Sequence, residues 1–274
     1  MCAGAQRATA GELIEIAGDL ASAGYDGIEL HPHHLASIGD RVFRRRLADA
    51  LADAQLAVAA AYGGVPSDPP SVALTNARAQ MAADLGAEVV FVVPPSRRDG
   101  GLEQTAECVR EVCVSAGRFG LSVAVHNHAG TSVTTVAEVQ ELIELINRPE
   151  AGLCLDVAHL ALFEDDLAAA IGELAPLVNY VHFKDLEGWA RDGLAKLDGD
   201  TLEEVAKLTS AYTDIGAGAL DLVAAQRALP ARQDLWTAIE METLRAPTVA
   251  EQCAFNADAY RAVRDRSIAG SATS

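Results

Sequence analysis

The stretch Ser-Val-Ala-Val-His-Asn-His-Ala-Gly-Thr, residues 122–131, joins a short apolar run to two histidines placed two residues apart. Side chains at positions i and i+2 of a strand point to the same side, so we expect His126 and His128 to face one way. Both come just before a Gly-Thr turn, at the carboxyl end of the run, where parallel α/β folds build their active sites. A pair of hydrogen-bonded histidines at a strand end is the alternative interpretation, so the neighbouring strands must decide.

Length and composition predict a globular protein without a nucleic-acid or membrane partner. The chain has 274 residues, 50% of them hydrophobic, and a formal net charge of -18, which disfavours phosphate backbones and anionic membranes. No apolar run approaches the length of a membrane span. The five cysteines show no Cys-x-x-Cys spacing, so we expect neither a disulfide framework nor a thiolate zinc site. The N-terminus lacks a signal peptide's apolar core, which predicts a cytoplasmic location.

Apolar runs of strand length alternate with amphipathic helices along the whole chain. Such alternation is typical of a parallel sheet covered on both faces. The predicted strands are Asp26–Leu30, Leu56–Tyr62, Glu88–Val93, Leu121–His128, Gly152–Val157, Val178–Lys184 and Leu235–Met241. Seven strands over this length fit a (β/α)8 TIM barrel better than an open doubly wound sheet.

The ends of the chain complete this prediction. An eighth strand should come first, but only about ten residues precede the first helix, so that strand is short or missing, with Met1–Ala5 as its stub. Residues 1–266 then form a single barrel domain, and residues 267–274 form a disordered tail.

The late strands end in side chains that can bind a metal ion. Carboxylates and imidazoles in apolar strands are costly unless they are paired or coordinated. A mixed set without thiolates suits a divalent cation such as Mn²⁺, Co²⁺, Mg²⁺ or Zn²⁺. The residues, strand by strand, are His126 and His128, Asp156 and His159, His182 and Lys184, and Glu240 and Glu242.

The motifs around these residues resemble the xylose-isomerase-like TIM barrel superfamily, also called the sugar phosphate isomerase/epimerase family. In that family Glu, Asp, His and Glu from successive strands typically hold a metal, which implies Asp156, His182 and Glu240 as ligands here. The motifs are Gly-Tyr-Asp-Gly-Ile-Glu-Leu (24–30), Val-His-Asn-His-Ala-Gly-Thr (125–131), Cys-Leu-Asp-Val-Ala-His (154–159), Tyr-Val-His-Phe-Lys-Asp (180–185), Asp-Ile-Gly-Ala-Gly-Ala-Leu-Asp (214–221) and Trp-Thr-Ala-Ile-Glu (236–240).

One position departs from the family pattern, because the usual Glu-Asn-His motif reads His126-Asn127-His128 here. Inosose dehydratases have a similar His-x-His-x-Gly-Thr pattern. The resemblance therefore implies a metal-dependent dehydratase acting on a keto-cyclitol or keto-sugar, with His126 as the fourth ligand and Mn²⁺ or Co²⁺ favoured over Mg²⁺ or Zn²⁺. Epimerases of the family use two metal-bound carboxylates on opposite sides of the substrate. Replacing one of these carboxylates by an imidazole suits proton abstraction beside a carbonyl, followed by loss of water.

Two residues are candidates for each catalytic role. Lys184 or Glu240 is the expected base, and His128 or His159 is the expected acid. Substrate contacts are expected from Glu29, His126 and Glu242.

Three other polar motifs are interpreted without a direct catalytic role. The three histidines in the segment His31-Pro-His-His34 indicate a solvated loop. Asp185 is expected to orient Lys184 or a histidine. Gly216-Ala-Gly218 favours a turn over a phosphate site, because Asp214 and Asp221 flank it.

Other functions remain as alternatives. A sugar isomerase or 3-epimerase is compatible with the same metal site, and so is a non-catalytic barrel. The DNA-repair endonuclease branch of the superfamily is disfavoured by the charge of -18. A homo-oligomer is left open.

Overall fold

Eight parallel strands form a closed barrel in the computed structural model of the chain, which describes residues 1–190, 207 and 209–269. The barrel strands are β1–β7 and β10, in the order β1-β10-β7-β6-β5-β4-β3-β2. The fold is therefore the (β/α)8 TIM barrel predicted from the sequence. The described strands are β1 (Cys2–Gly4), β2 (Gly27–Leu30), β3 (Ala57–Gly64), β4 (Val89–Val92), β5 (Ser122–His126), β6 (Ala151–Asp156), β7 (Val178–Phe183), β8 (Asp185–Leu186), β9 (Tyr212–Thr213) and β10 (Thr237–Glu240).

Helices pack around the outside of the barrel. The side chains of Thr9, Asp68 and Thr135 accept hydrogen bonds from backbone N–H groups in the first turn of α1, α4 and α6, which defines where these helices begin. The helices are α1 (Ala10–Ser22), α2 (Pro32–Ile38), α3 (Arg41–Ala54), α4 (Pro69–Ala83), α5 (Leu102–Gly117), α6 (Val136–Ile146), α7 (Val157–Leu160), α8 (Leu167–Leu174), α9 (Leu222–Ala228) and α10 (Val249–Ala269). Among the helices described, none combines the length and apolar character that a membrane span requires.

The first strand is short but present, and it closes the barrel. Cys2 pairs with Ala238 of β10 on one side and with Gly27 of β2 on the other. Both edges that a missing strand would have exposed are therefore hydrogen-bonded. Gly4 lies opposite Glu240, so the N-terminal strand reaches the same end of the barrel as the polar residues of the last strand.

Strand residues alternate between two cores. One face packs against the helices, while the other forms a layer of small and aromatic side chains inside the barrel. This inner layer comprises Cys2, Ala59, Ala60, Val89, Phe91, Ala124, Cys154, Tyr180 and Ala238, with Tyr62 and Trp236 packed against it. The polar strand-end residues lie in the next layer, toward the carboxyl ends of the strands.

Two local predictions were wrong. Residues 32–38 form a helix rather than a solvated loop, and His31 and His34 are buried. His33 Nε2 and His34 Nε2 lie 2.9 and 2.8 Å from the Ala8 carbonyl oxygen, so tertiary hydrogen bonds hold this segment. At the other end, α10 continues to Ala269, because buried Ser267 extends the helix into the predicted tail.

Residues 270–274 of that predicted tail lie outside the described residues. The sequence also predicts a helix over residues 201–208, and this segment too lies outside the described residues, apart from Lys207.

Candidate functional site

Three buried side chains and one partly buried side chain converge at the carboxyl ends of β5, β6, β7 and β10. One donor atom each from His126, Asp156, His182 and Glu240 lies within 4.8 Å of the others. His126 Nε2 is 3.2 Å from Asp156 Oδ2, and His182 Nδ1 is 3.3 Å from Glu240 Oε2. Each belongs to the inward face of its strand, so the closed barrel brings together residues more than a hundred positions apart in the sequence.

The donor atoms of this cluster suit a divalent cation. Nδ1 of His126 and Nδ1 of His182 are buried without a hydrogen-bond partner among the described residues. A buried nitrogen without a partner is costly, and a cation facing it would remove that cost. Two imidazoles and two carboxylates form a donor set that binds Mn²⁺, Co²⁺ or Zn²⁺. The four residues predicted as ligands are thus brought together in a form that fits a metal ion.

Glu29 lies behind His182, completely buried. Its Oε2 accepts hydrogen bonds from Tyr180 Oη at 2.7 Å and from His182 Nε2 at 2.8 Å, and its Oε1 is 3.1 Å from His31 Nε2. Burial alone raises the pKa of Glu29, but the facing His182 and His31 lower it to about 2. The ionised carboxylate fixes the His182 ring with Nδ1 toward Asp156 and Glu240. Glu29 was predicted to contact substrate. In the structure, both of its carboxylate oxygens contact protein side chains.

Lys184 is surrounded by carboxylates. Its Nζ lies 2.6 Å from Glu240 Oε2, 2.6 Å from Glu242 Oε1 and 3.0 Å from Asp156 Oδ2. Burial alone lowers the pKa of Lys184, but the three carboxylates raise it well above its usual range. Three acceptors match the three protons of an ammonium group, so Lys184 is a hydrogen-bond donor in this arrangement. Glu242 faces the site through this contact, as its strand position predicted.

The two remaining histidines lie beside the cluster, His128 on the loop after β5 and His159 on α7. His159 Nδ1 accepts a hydrogen bond from the Ala129 N–H at 3.1 Å, so its Nε2 carries the ring proton. His128 Nδ1 donates to the Ala129 carbonyl oxygen at 2.6 Å, which leaves the lone pair on Nε2. Burial lowers the pKa of both rings, to about 3 for His128, and keeps them neutral. The two rings lie in contact with their centroids 3.9 Å apart and their planes tilted by 37°.

Two residues of the site were not singled out from the sequence. Asn127 Oδ1 accepts from the Asp156 N–H at 2.7 Å, and its Nδ2 donates to the Asp156 carbonyl oxygen at 3.1 Å, which ties β5 to β6. Its place between the two histidines was the available signal. Tyr212 Oη lies 3.0 Å from His159 Nε2, and its ring lies 4.4 Å from Lys184 Nζ. The sequence around Tyr212 contains no recognisable motif. Folding of the chain brings β9 to the site, so sequence patterns could not identify this residue.

The prediction for Asp185 was wrong, whereas the turn at residues 216–218 is present. Asp185 Oδ2 accepts hydrogen bonds from the N–H groups of Gly216 and Gly218, each at 3.0 Å, and its Oδ1 accepts from Leu220 N–H at 3.2 Å. The carboxylate therefore shapes this loop and does not orient Lys184. Because those N–H groups already have an anionic partner, they are not directed at a phosphate.

Curated relatives of the chain carry a dehydratase name. An inosose dehydratase of Lacticaseibacillus casei is 28% identical over 144 residues, a match covering 52% of this chain and 45% of the relative. The match therefore spans less than half of the relative's length.

Solved structures match almost the whole chain at low identity. They include the IolI protein with a bound zinc atom (TM-score 0.73, 18% identity, 92% of this chain and 93% of that one). An L-ribulose 3-epimerase (0.72, 17%, 97% and 93%) and a xylose isomerase-like TIM barrel protein from Mycobacterium smegmatis in complex with magnesium (0.65, 16%, 94% and 90%) also match. At these identities the likeness concerns the fold.

A family match agrees with the barrel and its strand-end cluster. The family described as xylose isomerase-like TIM barrel matches residues 18–259, from within α1 into α10. That range includes all four residues of the cluster. The chain belongs to the xylose isomerase-like TIM barrel family.

Proposed function

We propose that this protein is a divalent-metal-dependent dehydratase that removes water from a keto-cyclitol or keto-sugar. The observation that carries the proposal is the set of His126, Asp156, His182 and Glu240 within 4.8 Å at the strand ends. An imidazole stands in this set where the family resemblance implies a glutamate. The relative named inosose dehydratase supports the same reaction class.

The metal is proposed from the donor set, with Mn²⁺ or Co²⁺ preferred. Fold neighbours with bound zinc and with magnesium support a divalent ion without choosing among ions. Such an ion supplies Lewis-acid polarisation of a substrate carbonyl. Glu29 holds the His182 ring from behind through a 2.8 Å hydrogen bond, which keeps the donor set oriented.

We assign the roles in proton transfer from the protons that each side chain carries. Lys184 Nζ donates hydrogen bonds to Glu240 and Glu242 and forms an ion pair with Asp156, so we assign it the stabilisation of negative charge developing on a substrate oxygen rather than the role of base. Glu240 is then the base that removes the proton beside the carbonyl. His159, whose neutral ring carries its proton on Nε2 next to Tyr212 Oη, is assigned to give that proton to the departing hydroxyl and to regain the proton that Glu240 removes, so that water leaves and both side chains return to their starting forms.

The test is a panel of keto-cyclitols and ketoses incubated with the protein and Mn²⁺ or Co²⁺ in deuterated water, followed by NMR. We expect net loss of water from at least one keto-cyclitol or keto-sugar, with an unsaturated or diketo product. His159→Gln should slow this reaction by about 100-fold or more, because general acid catalysis contributes that much. His33→Gln is the matched control, since His33 lies on α2 and should leave the rate unchanged.

Two outcomes would contradict the proposal. Deuterium incorporation without elimination on every substrate would identify an isomerase or epimerase. Absence of both reactions, together with no stabilisation by any divalent ion, would indicate a non-catalytic barrel.

A further inference from the structure

A buried thiol lies directly below the proposed metal site. Cys154 is two residues before Asp156 on β6, so both side chains point into the barrel from the same strand face. Cys154 belongs to the inner layer with Ala124, Tyr180 and Ala238, and it is fully buried. The strand thus offers an oxygen donor in the outer layer and a sulfur donor one layer deeper.

The same two histidines serve both layers. Cys154 Sγ and one ring nitrogen each of His126 and His182 lie within 4.8 Å of one another. Nδ1 of His126 is buried without a hydrogen-bond partner among the described residues, and Nδ1 of His182 has ion-pair contacts with Glu240 Oε2 at 3.3 Å and Asp156 Oδ2 at 3.9 Å. The three convergent donors form the inner counterpart of the set completed by Asp156 and Glu240.

Donor chemistry separates the ions that the two sets prefer. Carboxylate oxygens suit harder ions such as Mn²⁺ and Mg²⁺, whereas a thiolate selects softer ions. We propose that Cys154, His126 and His182 form an inner site for thiophilic divalent cations, with Cd²⁺ as the probe, sharing both histidines with the outer set. Occupation breaks the S–H bond of Cys154, forms a sulfur–metal bond and releases one proton to the solvent. The inference uses the same histidines as the proposed catalytic site, but it does not require catalysis.

The position of Cys154 gives this site a regulatory consequence. An ion drawn toward the thiolate moves away from Glu240 and from the ammonium of Lys184, which lie in the outer layer. Thiophilic ions would therefore compete with the harder ion for His126 and His182 while supporting the reaction poorly. The side chains packed around Cys154 are small or aromatic, and the buried Glu29 carboxylate lies beside them on Tyr180 Oη and His182 Nε2. A divalent cation bound to the thiolate keeps one positive charge, which this carboxylate offsets.

The experiment titrates Cd²⁺ and Mn²⁺ separately into the full-length protein. Cys108→Ser serves as the background, because Cys108 is only partly buried and would bind Cd²⁺ from solvent. Thiolate-to-metal charge-transfer absorption reports Cd²⁺, and electron paramagnetic resonance reports free Mn²⁺. Cys154→Ser and Cys154→Ala are compared with Cys2→Ser, a matched control in the same inner layer whose Sγ lies 3.2 Å from Tyr180 Oη.

We expect one equivalent of Cd²⁺ to produce the charge-transfer band in the background and in Cys2→Ser. Both Cys154 variants should lose the band and bind Cd²⁺ at least about tenfold more weakly, while Mn²⁺ affinity stays unchanged. A band that survives in both Cys154 variants, or equal losses of Cd²⁺ and Mn²⁺ affinity, would overturn the inner site. A Cys154-dependent band without any Mn²⁺ binding would support the inner site and count against the proposed function.

Discussion

At the level of single residues, the proposed preference for elimination over epimerisation rests on His126, whose Nε2 lies 3.2 Å from Asp156 Oδ2. A neutral imidazole coordinates a cation without adding a second basic carboxylate opposite Glu240. In the proposed mechanism Glu240 is the base and His159 the proton donor, an unsymmetrical pair suited to removing a proton on one carbon and hydroxide from the next.

His126→Glu tests this argument. We expect dehydration to fall at least about 100-fold, while deuterium exchange beside the carbonyl persists or increases, because two carboxylates then face the substrate. NMR of substrate in deuterated water measures both rates in one sample. Asp156→Asn is the comparison variant and should lose both reactions. Unchanged dehydration in His126→Glu would show that this position does not select the reaction.

Glu29 offers a second prediction at the same scale. Glu29→Gln removes the charge behind His182 Nε2, so we expect metal affinity to fall about 10- to 100-fold. Tyr180→Phe removes a different hydrogen bond to the same Glu29 oxygen but leaves the contact between Glu29 and His182. Tyr180→Phe should therefore keep most of the metal affinity. Calorimetric Mn²⁺ titration separates the two variants, and equal affinity losses would mean that Glu29 acts only through packing.

Sequence reasoning at this scale identified side chains that lie at the strand ends. Asp156, His182 and Glu240 could be predicted because polar residues in apolar strands are conspicuous. The role of Tyr212 and the hydrogen bonds between Asn127 and Asp156 could not be predicted. They depend on which segments the fold brings together at the site. The wrong prediction for Asp185 has the same cause: its partners are the N–H groups of a loop more than thirty residues away.

Among the individual elements, β1 depends on close contact with its neighbour. A Cβ at Gly4 would lie 3.0 Å from both Glu240 Cα and the Ile239 carbonyl oxygen. We expect Gly4→Ala to lower the free energy of unfolding by about 1–3 kcal/mol, because the backbone of β1 or β10 must shift. Urea unfolding followed by circular dichroism measures the change.

Gly18 is the control for that substitution. A Cβ at this position in α1 meets nothing within 4 Å, so Gly18→Ala should raise the free energy of unfolding by about 0.5–1 kcal/mol through helix propensity. If Gly4→Ala unfolds at the same urea concentration as the unaltered protein, the pairing of β1 is looser than its geometry implies.

The α2 segment carries a pH dependence through His34. Burial, with smaller contributions from His33 and His31, lowers the pKa of His34 to about 3, although its contact with the Ala8 carbonyl oxygen opposes this. The unfolded chain binds a proton near pH 6.5, so the neutral ring stabilises the fold fully above that pH. This stability is lost as the pH falls from 6.5 toward 3.

His34→Gln should weaken that dependence. Between pH 7 and pH 5 the unaltered protein should lose about 2 kcal/mol more free energy of unfolding than His34→Gln. The comparison isolates His34 from the buried histidines of the site, which remain in both proteins. Parallel losses in the two proteins would mean that His34 accepts a proton in the folded state.

The helices and barrel strands themselves were largely predictable. The sequence pattern also predicts a helix over Arg41–Ala54, and α3 has these bounds. Most strands end within two residues of their predicted limits. The α2 helix escaped prediction because its seven residues, two of them histidines, give no apolar period. Its stability comes from contacts with Ala8, which sequence periodicity does not report.

For the molecule as a whole, the alternation of strands and helices was enough to predict the barrel but not its closure. Cys2–Gly4 has only three residues, too few to show a strand pattern, yet it pairs with both β10 and β2. Closure is decided by long-range pairing between the two ends of the chain. Closure also brings Glu240 of the last strand beside Asp156 and His182, so the candidate site depends on it.

The most direct test of the account counts Mn²⁺ ions bound by the protein and by Asp156→Asn, using electron paramagnetic resonance of free Mn²⁺. We predict one ion per chain in the unaltered protein. At a concentration of 100 times Kd, that ion should add about 2.7 kcal/mol to the free energy of unfolding. Asp156→Asn should lose both the ion and this stabilisation. Absence of Mn²⁺ binding in the unaltered protein, or equal binding by Asp156→Asn, would contradict a metal site at the strand ends.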